Sequence, residues 1–227
     1  MELETDKNIN ADKKALVIGA GGAGHLLIPA IAQSYSITVA DGDDFEDKNK
    51  TRQTLAVTGE NKAKVMQDVF GNNKRIEAIP SYLHGGENIL PDIIFSCVDS
   101  NFGRSAARQL ALHANCPAII MQNESWNPMA FLFLPELDRT DLCPYVRYNL
   151  SNLESSRNFE CGGITVDADE GGQSGIANLA AAGLGATVLH SIQQKNKDNW
   201  ILEAKSIPWP TWKKIKDVRK ELIQNSR

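Results

Sequence analysis

A short apolar run that ends in glycines constrains the fold of this chain more than any other feature. Residues Ala15–Ile18 lead directly into the turn Gly19–Gly24, which reads GAGGAG. A short apolar run bounded by glycines is typical of a buried parallel strand. A helix is predicted to follow from about Ala23 to Gln33, with Pro29 inside it as a cause of a kink or a later start. This order predicts an open α/β sheet.

The alternation of strands and helices continues along the chain. Further strands are predicted at Ser36–Ala40, Ile76–Ile79, Asp92–Val98 and Pro117–Met121, with helices from about Glu60 to Phe70, Phe102 to Ala114 and Ser174 to Gln193. This βαβ order predicts a doubly wound, Rossmann-like and mostly parallel sheet. Another strand, Met129–Leu134, follows without an intervening helix, which predicts antiparallel strands in the C-terminal half.

The remaining segments complete a single predicted domain over residues 1–227. The charged residues 1–14 are predicted to be flexible, and the polar residues 136–172 to form a long crossover loop. A last strand is predicted at about Trp200–Ile207, followed by a basic helix from Trp209 to Gln224.

Composition excludes several classes of protein. The net charge of −4 provides no broad basic surface for nucleic acid. The N-terminus MELETDKNINADKK has no apolar stretch, so no signal peptide is predicted, and a cytoplasmic location is expected. The four cysteines form no CxxC pair, so neither a zinc site nor a disulfide framework is predicted (Cys97, Cys116, Cys143 and Cys161).

The glycine turn and the acid that ends the next strand predict a nucleotide site. Gly19, Gly21 and Gly24 match G-x-G-x-x-G between a strand and a helix, where backbone N–H groups can face a phosphate. Asp41 ends the second strand, where a carboxylate can accept hydrogen bonds from ribose hydroxyls. The alternative for Asp41 and Asp43 is a solvated loop at a strand end.

Cations and amides follow with a spacing that a dinucleotide-binding dehydrogenase does not need. They are Asn49, Arg52, Gln53 and Lys62. Adenylation attacks the α-phosphate of ATP and expels pyrophosphate, so preorganised cations must stabilise the charge on the leaving phosphates. Asn49 and Gln53 can hydrogen-bond a phosphate or orient Arg52. Taken singly, each is better explained structurally, Arg52 as a residue of a polar loop and Lys62 as a lysine at a helix start.

Asp99 ends the predicted fourth strand, beside the crevice where doubly wound folds place functional residues. A carboxylate there can hold Mg²⁺ that bridges the phosphates. The alternative is a helix N-cap for the segment that Ser100 opens, and both roles can hold together. Arg104, one helical turn further on, is either a phosphate contact or a surface residue.

Together these residues resemble the ThiF/MoeB/HesA (ubiquitin-activating-like) adenylyltransferase superfamily, and in particular its compact stand-alone bacterial members. The family pattern is G-x-G-G-x-G, D-x-D-x5-N-x2-R-Q, G-x-x-K and a later strand-end Asp. This chain has GAGGAG at 19–24, which includes Gly22, then DGDDFEDKNKTRQ at 41–53, GENK at 59–62 and VDS at 98–100. The match covers residues 15–120.

The resemblance implies ATP- and Mg²⁺-dependent adenylation of a carboxylate, usually the C-terminal glycine of a ubiquitin-like or sulfur-carrier protein. By the family's pattern, Asp41 would bind the ribose, and Asn49, Arg52 and Lys62 would contact the phosphates. Asp99 would hold Mg²⁺. The resemblance also implies a homodimer, and a downstream conjugating enzyme is a further expected partner.

In many members of the family, a cysteine on the crossover loop then receives the acyl group as a thioester. Cys161, shortly before the long helix, stands where that cysteine is expected, and Cys143 is its rival. A thiolate captures an acyl-adenylate readily. However, neither cysteine has an adjacent histidine, and Glu160 disfavours a thiolate at Cys161, so an unreactive loop cysteine is the third alternative.

The chain departs from the family pattern at its N-terminus. It has no arginine before Arg52, whereas typical members have an N-terminal arginine that reaches the partner subunit's ATP. Three alternatives follow: Lys13 or Lys14 replaces this arginine, a partner supplies the cation, or the ATP site works without it. Three competing functions stay open. They are an NAD-dependent oxidoreductase with the same glycine turn, a binding-only scaffold, and adenylation of a small molecule or a tRNA base.

Overall fold

The computed structural model describes residues 13–51, 53–71, 75–124, 127–150, 175–194, 196–205 and 211–215. The strands are β1 Lys14–Ile18, β2 Ser36–Ala40, β3 Ile76–Ile79, β4 Ile93–Ser96, β5 Ala118–Glu124, β6 Asn127–Phe133, β7 Ile201–Lys205 and β8 Thr211–Lys214. The α-helices are α1 Gly24–Ile31, α2 Lys62–Phe70, α3 Asn101–Ala114, α4 Pro144–Arg147 and α5 Gly175–Ile192.

The strands form one mixed sheet in the order β3-β2-β1-β4-β5-β6-β7-β8. Strands β1 to β5 pair in parallel, and β6, β7 and β8 are added antiparallel, which confirms the predicted fold class. The strand order reverses between β1 and β4, which are direct neighbours. In open α/β sheets, ligands bind outside the carboxyl ends of the strands at such a reversal.

Helices cover both faces of this sheet. Because successive residues of a strand point to opposite faces, Ala15 and Val17 of β1 join the core under α1, α2 and α5, whereas Leu16 and Ile18 join the core under α3. All four are buried, with Ile18 the most exposed at 4%. Burial on both faces is the reason why β1 reads as an unbroken apolar run.

Helix α5 is a core helix despite its apolar composition. It is long and apolar enough to cross a membrane, yet half of that stretch is buried inside the fold. The small residues allow a close approach to the sheet, since a Cβ on Gly185 would lie 2.4 Å from the Met121 sulfur. The length and composition of α5 therefore reflect its packing on β5, β6 and β7.

The predicted helix Trp209–Gln224 is wrong where the structure describes it. Thr211–Lys214 forms β8, which pairs antiparallel with β7 through a register shift between Ile201 and Glu203. The N–H of Ile215 then donates to the carbonyl of Trp200 at 3.1 Å, and Ile215 is buried. Pairing with a strand that is already in place outweighs local helix preference. The rest of this predicted helix lies outside the described residues.

The predicted loop 136–172 has an ordered beginning. A 3₁₀ turn at Pro135–Leu137 leads to α4, whose Tyr145 is buried against Phe133 with ring centroids 5.2 Å apart. The Tyr145 hydroxyl donates to the carbonyl of Arg104 at 2.8 Å, which ties α4 to α3. Residues 151–172 of this predicted loop lie outside the described residues.

The predicted flexible N-terminus 1–14 extends too far by at least one residue. Lys14 is the first residue of β1, and its N–H donates to the Asp92 carboxylate at 2.7 Å. Residues 1–12 lie outside the described residues.

Candidate nucleotide-binding site

The glycine turn after β1 packs too tightly against backbone atoms for side chains at two of its positions. Gly19 has φ +93°, and a Cβ there would lie 2.9 Å from the carbonyl oxygen of Cys97 at the end of β4. A Cβ on Gly24 would lie 2.0 Å from the carbonyl oxygen of Gly19. Gly19 also donates its N–H to Ala40 at 2.8 Å. Both glycines therefore hold the turn against the ends of β2 and β4.

The middle of the turn faces two different environments. A Cβ on Gly21 would meet nothing within 4 Å among the described residues, so this position borders open space. A Cβ on Gly22 would lie 2.5 Å from the carboxamide of Asn178 on α5. The residue before α1, Ala23, makes no side-chain cap, and the N–H groups of His25 and Leu26 donate to the carbonyls of Gly21 and Ala23 at 3.1 and 3.2 Å. A glycine turn that borders open space just before a helix is suited to an anion.

Asp41 ties the turn to the loop after β2. Its carboxylate accepts the N–H of Ala20 at 2.7 Å and the N–H of Asp43 at 2.9 Å. Burial raises the pKa of the Asp41 carboxyl, although these hydrogen bonds and Lys62 counteract part of the effect. A carboxylate oxygen has a second lone pair, so ribose hydroxyls can still donate to Asp41. The ribose contact stays a prediction.

Lys62 and Asp43 form an ion pair next to Asp41. Lys62 is the first residue of α2, after the N-cap Asn61, and its ammonium lies 2.9 Å from Asp43. Tyr82 donates its hydroxyl to the other oxygen of Asp43. Burial alone would raise the pKa of Asp43, but the hydrogen bonds from Tyr82 and Lys62 outweigh it and lower that pKa. The cation is thus held beside the turn.

Sequence reasoning missed Tyr82, which follows β3 and completes this corner. A Cβ on Gly42 would lie 2.6 Å from the Tyr82 ring, so the ring fills the space that a side chain at position 42 would take. The hydrogen bond to Asp43 raises the pKa of Tyr82 to about 12. Two features of the sequence could have indicated this contact. One is the glycine between two aspartates, and the other is an aromatic residue just past the end of a strand.

The other predicted phosphate contacts lie on the loop after β2, and one of them already forms a hydrogen bond within that loop. Asn49 is 4% exposed, and its side-chain oxygen accepts the N–H of Glu46 at 2.8 Å. Gln53 is 5% exposed, and its side-chain oxygen has no hydrogen-bond partner within the described ranges. Arg52 lies outside the described residues. The phosphate contacts of all three residues therefore stay predictions.

Asp99 lies at the carboxyl side of β4 and is exposed. The N-cap of α3 is Ser100, whose hydroxyl accepts the N–H of Gly103 at 3.1 Å, so the cap predicted for Asp99 falls one residue later. Arg104 is not on the surface, since it is 7% exposed and donates to Asn101 at 3.0 Å. The metal role of Asp99 stays a prediction.

Of the two candidate acyl acceptors, the structure describes Cys143. Cys161 lies outside the described residues. Cys143 is fully buried, with its sulfur 3.8 Å from the Asp138 carboxylate, so an acyl group cannot reach it in this conformation.

The described site residues cluster at the carboxyl ends of β1, β2 and β4. Lys14 instead starts β1, so about 13 Å of strand separates it from the glycine turn. Within the described part of the chain, no group of three or more His, Cys, Asp or Glu residues could hold a metal ion. Mg²⁺ at Asp99 would therefore need water or phosphate oxygens as further ligands.

Solved structures share this architecture. E. coli MccB, solved with ATP, superposes with a TM-score of 0.63 at 18% identity, over 90% of this chain and 63% of MccB. PaaA superposes with a TM-score of 0.62 at 17% identity, over 90% of this chain and 73% of PaaA. E. coli TcdA, a tRNA N6-threonylcarbamoyladenosine dehydratase, superposes with a TM-score of 0.56 at 17% identity, over 78% of this chain and 83% of TcdA.

These likenesses establish the fold. No protein-family model and no curated protein sequence matches the chain. The chain spans less than two thirds of the length of MccB, so the activity of that whole protein cannot be transferred from the superposition.

Proposed function

We propose that the protein is an ATP-dependent adenylyltransferase that activates a carboxylate. The observation that supports this most is the Lys62 ammonium, which lies 2.9 Å from Asp43. The N–H groups of Asp43 and of Ala20 in the glycine turn both donate to Asp41, so the cation is held close to that turn. A cation in this place can stabilise leaving phosphates. An NAD-dependent oxidoreductase has no use for it.

The reaction forms one bond and breaks another. A carboxylate oxygen of the substrate attacks the α-phosphorus of ATP, and the bond from that phosphorus to the oxygen that leads to the β-phosphate breaks. The products are an acyl-adenylate and pyrophosphate. The glycine turn before α1 binds the α-phosphate, while Lys62 moves from Asp43 to the leaving phosphates. Asp99 would hold Mg²⁺, which neutralises phosphate charge when bound.

The substrate is proposed to be the C-terminal carboxylate of a ubiquitin-like or sulfur-carrier protein, or of another small protein or peptide. The family resemblance supports a ubiquitin-like or sulfur-carrier protein. MccB, solved in complex with N-formylated MccA, supports another small protein or peptide. TcdA makes a tRNA base the competing substrate. A net charge of −4 disfavours that alternative because tRNA binding depends on cations.

Later steps belong to the same proposal. Cys161 would accept the acyl group as a thioester, and a conjugating enzyme would take it on. The chain would act as a homodimer, in which Lys13, Lys14 or another residue supplies a cation to the partner's nucleotide.

ATP–pyrophosphate exchange tests the proposal. Exchange is expected to require Mg²⁺ and a carboxylate substrate, either a small protein encoded beside the gene or a short peptide that mimics its C-terminus. With the small protein, exchange should be lost when its C-terminal residue is deleted. Lys62→Met should lower the exchange rate about a hundredfold or more, because it removes one preorganised charge from the leaving phosphates. Lys64→Met is the matched control, since Lys64 is an exposed lysine of the same helix.

Two results would contradict the proposal. One is tight NAD(H) binding without ATP binding, which would favour the oxidoreductase. The other is equal loss of exchange in Lys62→Met and Lys64→Met, which would show that the effect is not specific to the crevice.

A further inference from the structure

A pair of asparagines joins α5 to β5 next to the glycine turn. Asn178 of α5 is fully buried, and Asn123, near the carboxyl end of β5, is half-buried. The side-chain nitrogen of Asn123 donates to the side-chain oxygen of Asn178 at 2.9 Å. A carboxamide at this point of an otherwise apolar helix needs a physical reason, because burying polar groups is unfavourable.

The pair is incompletely satisfied. The side-chain nitrogen of Asn178 and the side-chain oxygen of Asn123 are both buried and have no hydrogen-bond partner in the described ranges. Rotating both side-chain amides by 180° would exchange the donor and the acceptor of the hydrogen bond. It would again leave one side-chain nitrogen and one side-chain oxygen without a partner. Buried polar atoms without partners are rare and point to a strained, catalytic or ligand-binding role. The pair thus presents one donor and one acceptor side by side.

The position of the pair relative to the turn suggests which ligand it meets. The Asn178 carboxamide lies against Gly22, whose neighbour Gly21 borders open space. Asp41, the predicted ribose contact, lies on the β2 side of the turn, whereas Asn123 lies on the opposite side, beyond β4. A molecule that approaches the α-phosphate from the side away from the nucleoside therefore passes the pair. Half-buried Asn123 must turn to expose its unpartnered oxygen, which is buried in this conformation.

We propose that Asn123 and Asn178 bind an amide group of the molecule whose carboxylate is activated, an inference that rests on the proposed function. A peptide unit and a side-chain carboxamide each offer a carbonyl for the free N–H and an N–H for the free oxygen. An ester or an alkyl group cannot satisfy both atoms. The pair therefore selects a peptide-like acceptor over a simple carboxylic acid.

The test compares substrates that differ only in the amide. The full chain is assayed for ATP–pyrophosphate exchange with N-acetylglycylglycine, with its analogue in which an ester oxygen replaces the terminal peptide N–H, and with N-acetylglycylasparagine and N-acetylglycylleucine. Wild-type protein should show a KM for the amide about tenfold or more below that of its ester or leucine counterpart. A difference between the amide and its ester indicates that the asparagines bind a backbone amide. A difference between the asparagine and leucine dipeptides indicates that they bind a side-chain amide.

Asn178→Leu keeps the branching of the side chain and removes both polar atoms, although leucine is the larger residue. It should abolish the discrimination, and the melting temperature should fall, since the side-chain N–H of Asn123 loses its acceptor. The ATP dissociation constant, measured by calorimetry, is compared in Asn123→Ser, where it should stay within about twofold of the wild type. Asn123→Ser, on the half-buried member, repeats the test if the leucine variant does not fold.

The outcomes separate the two proposals. Equal discrimination in wild type and variants, or ATP binding without exchange on any amide substrate, would overturn the role of the asparagine pair and leave the nucleotide site intact. Absence of ATP binding by the wild type would overturn the proposed function and this inference together.

Discussion

Replacing Gly21 with alanine tests whether this glycine leaves space for the phosphates of ATP and not for neighbouring protein atoms. A Cβ on Gly21 meets nothing within 4 Å among the described residues, and its backbone lies outside the left-handed region. The alanine should therefore fold normally and stabilise the protein by about 0.4–1 kcal/mol, because it reduces the entropy of the unfolded chain.

The same methyl group should weaken ATP binding. An N–H donor approaches a phosphate oxygen to about 2.9 Å, whereas a methyl carbon requires about 3.5 Å or more. The phosphate must then retreat by roughly half an ångström or more and lose at least one charge-assisted hydrogen bond, which contributes about 1.5–3 kcal/mol. At 1.4 kcal/mol for each factor of ten, the dissociation constant should rise about 10- to 100-fold.

Gly24→Ala is the matched control for this prediction. Its Cβ would lie 2.0 Å from the carbonyl oxygen of Gly19, so the turn cannot keep its shape, and both stability and binding should fall. Thermal melts and calorimetric titration with ATP measure the two effects. A Gly21→Ala protein with wild-type stability and wild-type ATP affinity would refute the placement of the phosphates over this glycine.

The ion pair and the buried tyrosine give two further predictions. The lowered pKa of Asp43 means that its stabilising contribution is present above the unfolded pKa of about 3.9 and is lost as pH falls through the lower folded pKa. The melting temperature of Asp43→Asn should therefore fall less steeply below about pH 4 than that of the wild type; identical slopes would contradict this. Tyr145→Phe removes the donor to the Arg104 carbonyl and should destabilise the protein by about 1 kcal/mol in urea melts. An unchanged midpoint would show that this hydrogen bond adds nothing.

Local patterns predicted most of the sheet and the nucleotide side of the site. The predicted strands Ser36–Ala40 and Ile76–Ile79 match β2 and β3 residue for residue. Both are short apolar or alternating runs bounded by polar residues, so neighbouring residues along the chain decide them. The glycine turn and Asp41 were found for the same reason, since a strand end, a turn and a helix start follow one another in the chain.

Contacts between distant segments decided the rest. Thr211–Lys214 became a strand because β7 offered an edge to pair with. The Tyr82 ring covers Gly42, and Asn178 meets Asn123 and Gly22, only because the fold brings separate elements together. The sequence by itself therefore determined the α/β alternation and the glycine turn with its acid, which depend on local periodicity and backbone freedom. Only the tertiary structure decided which side chains share the crevice, because packing between elements has no signature in the order of residues along the chain.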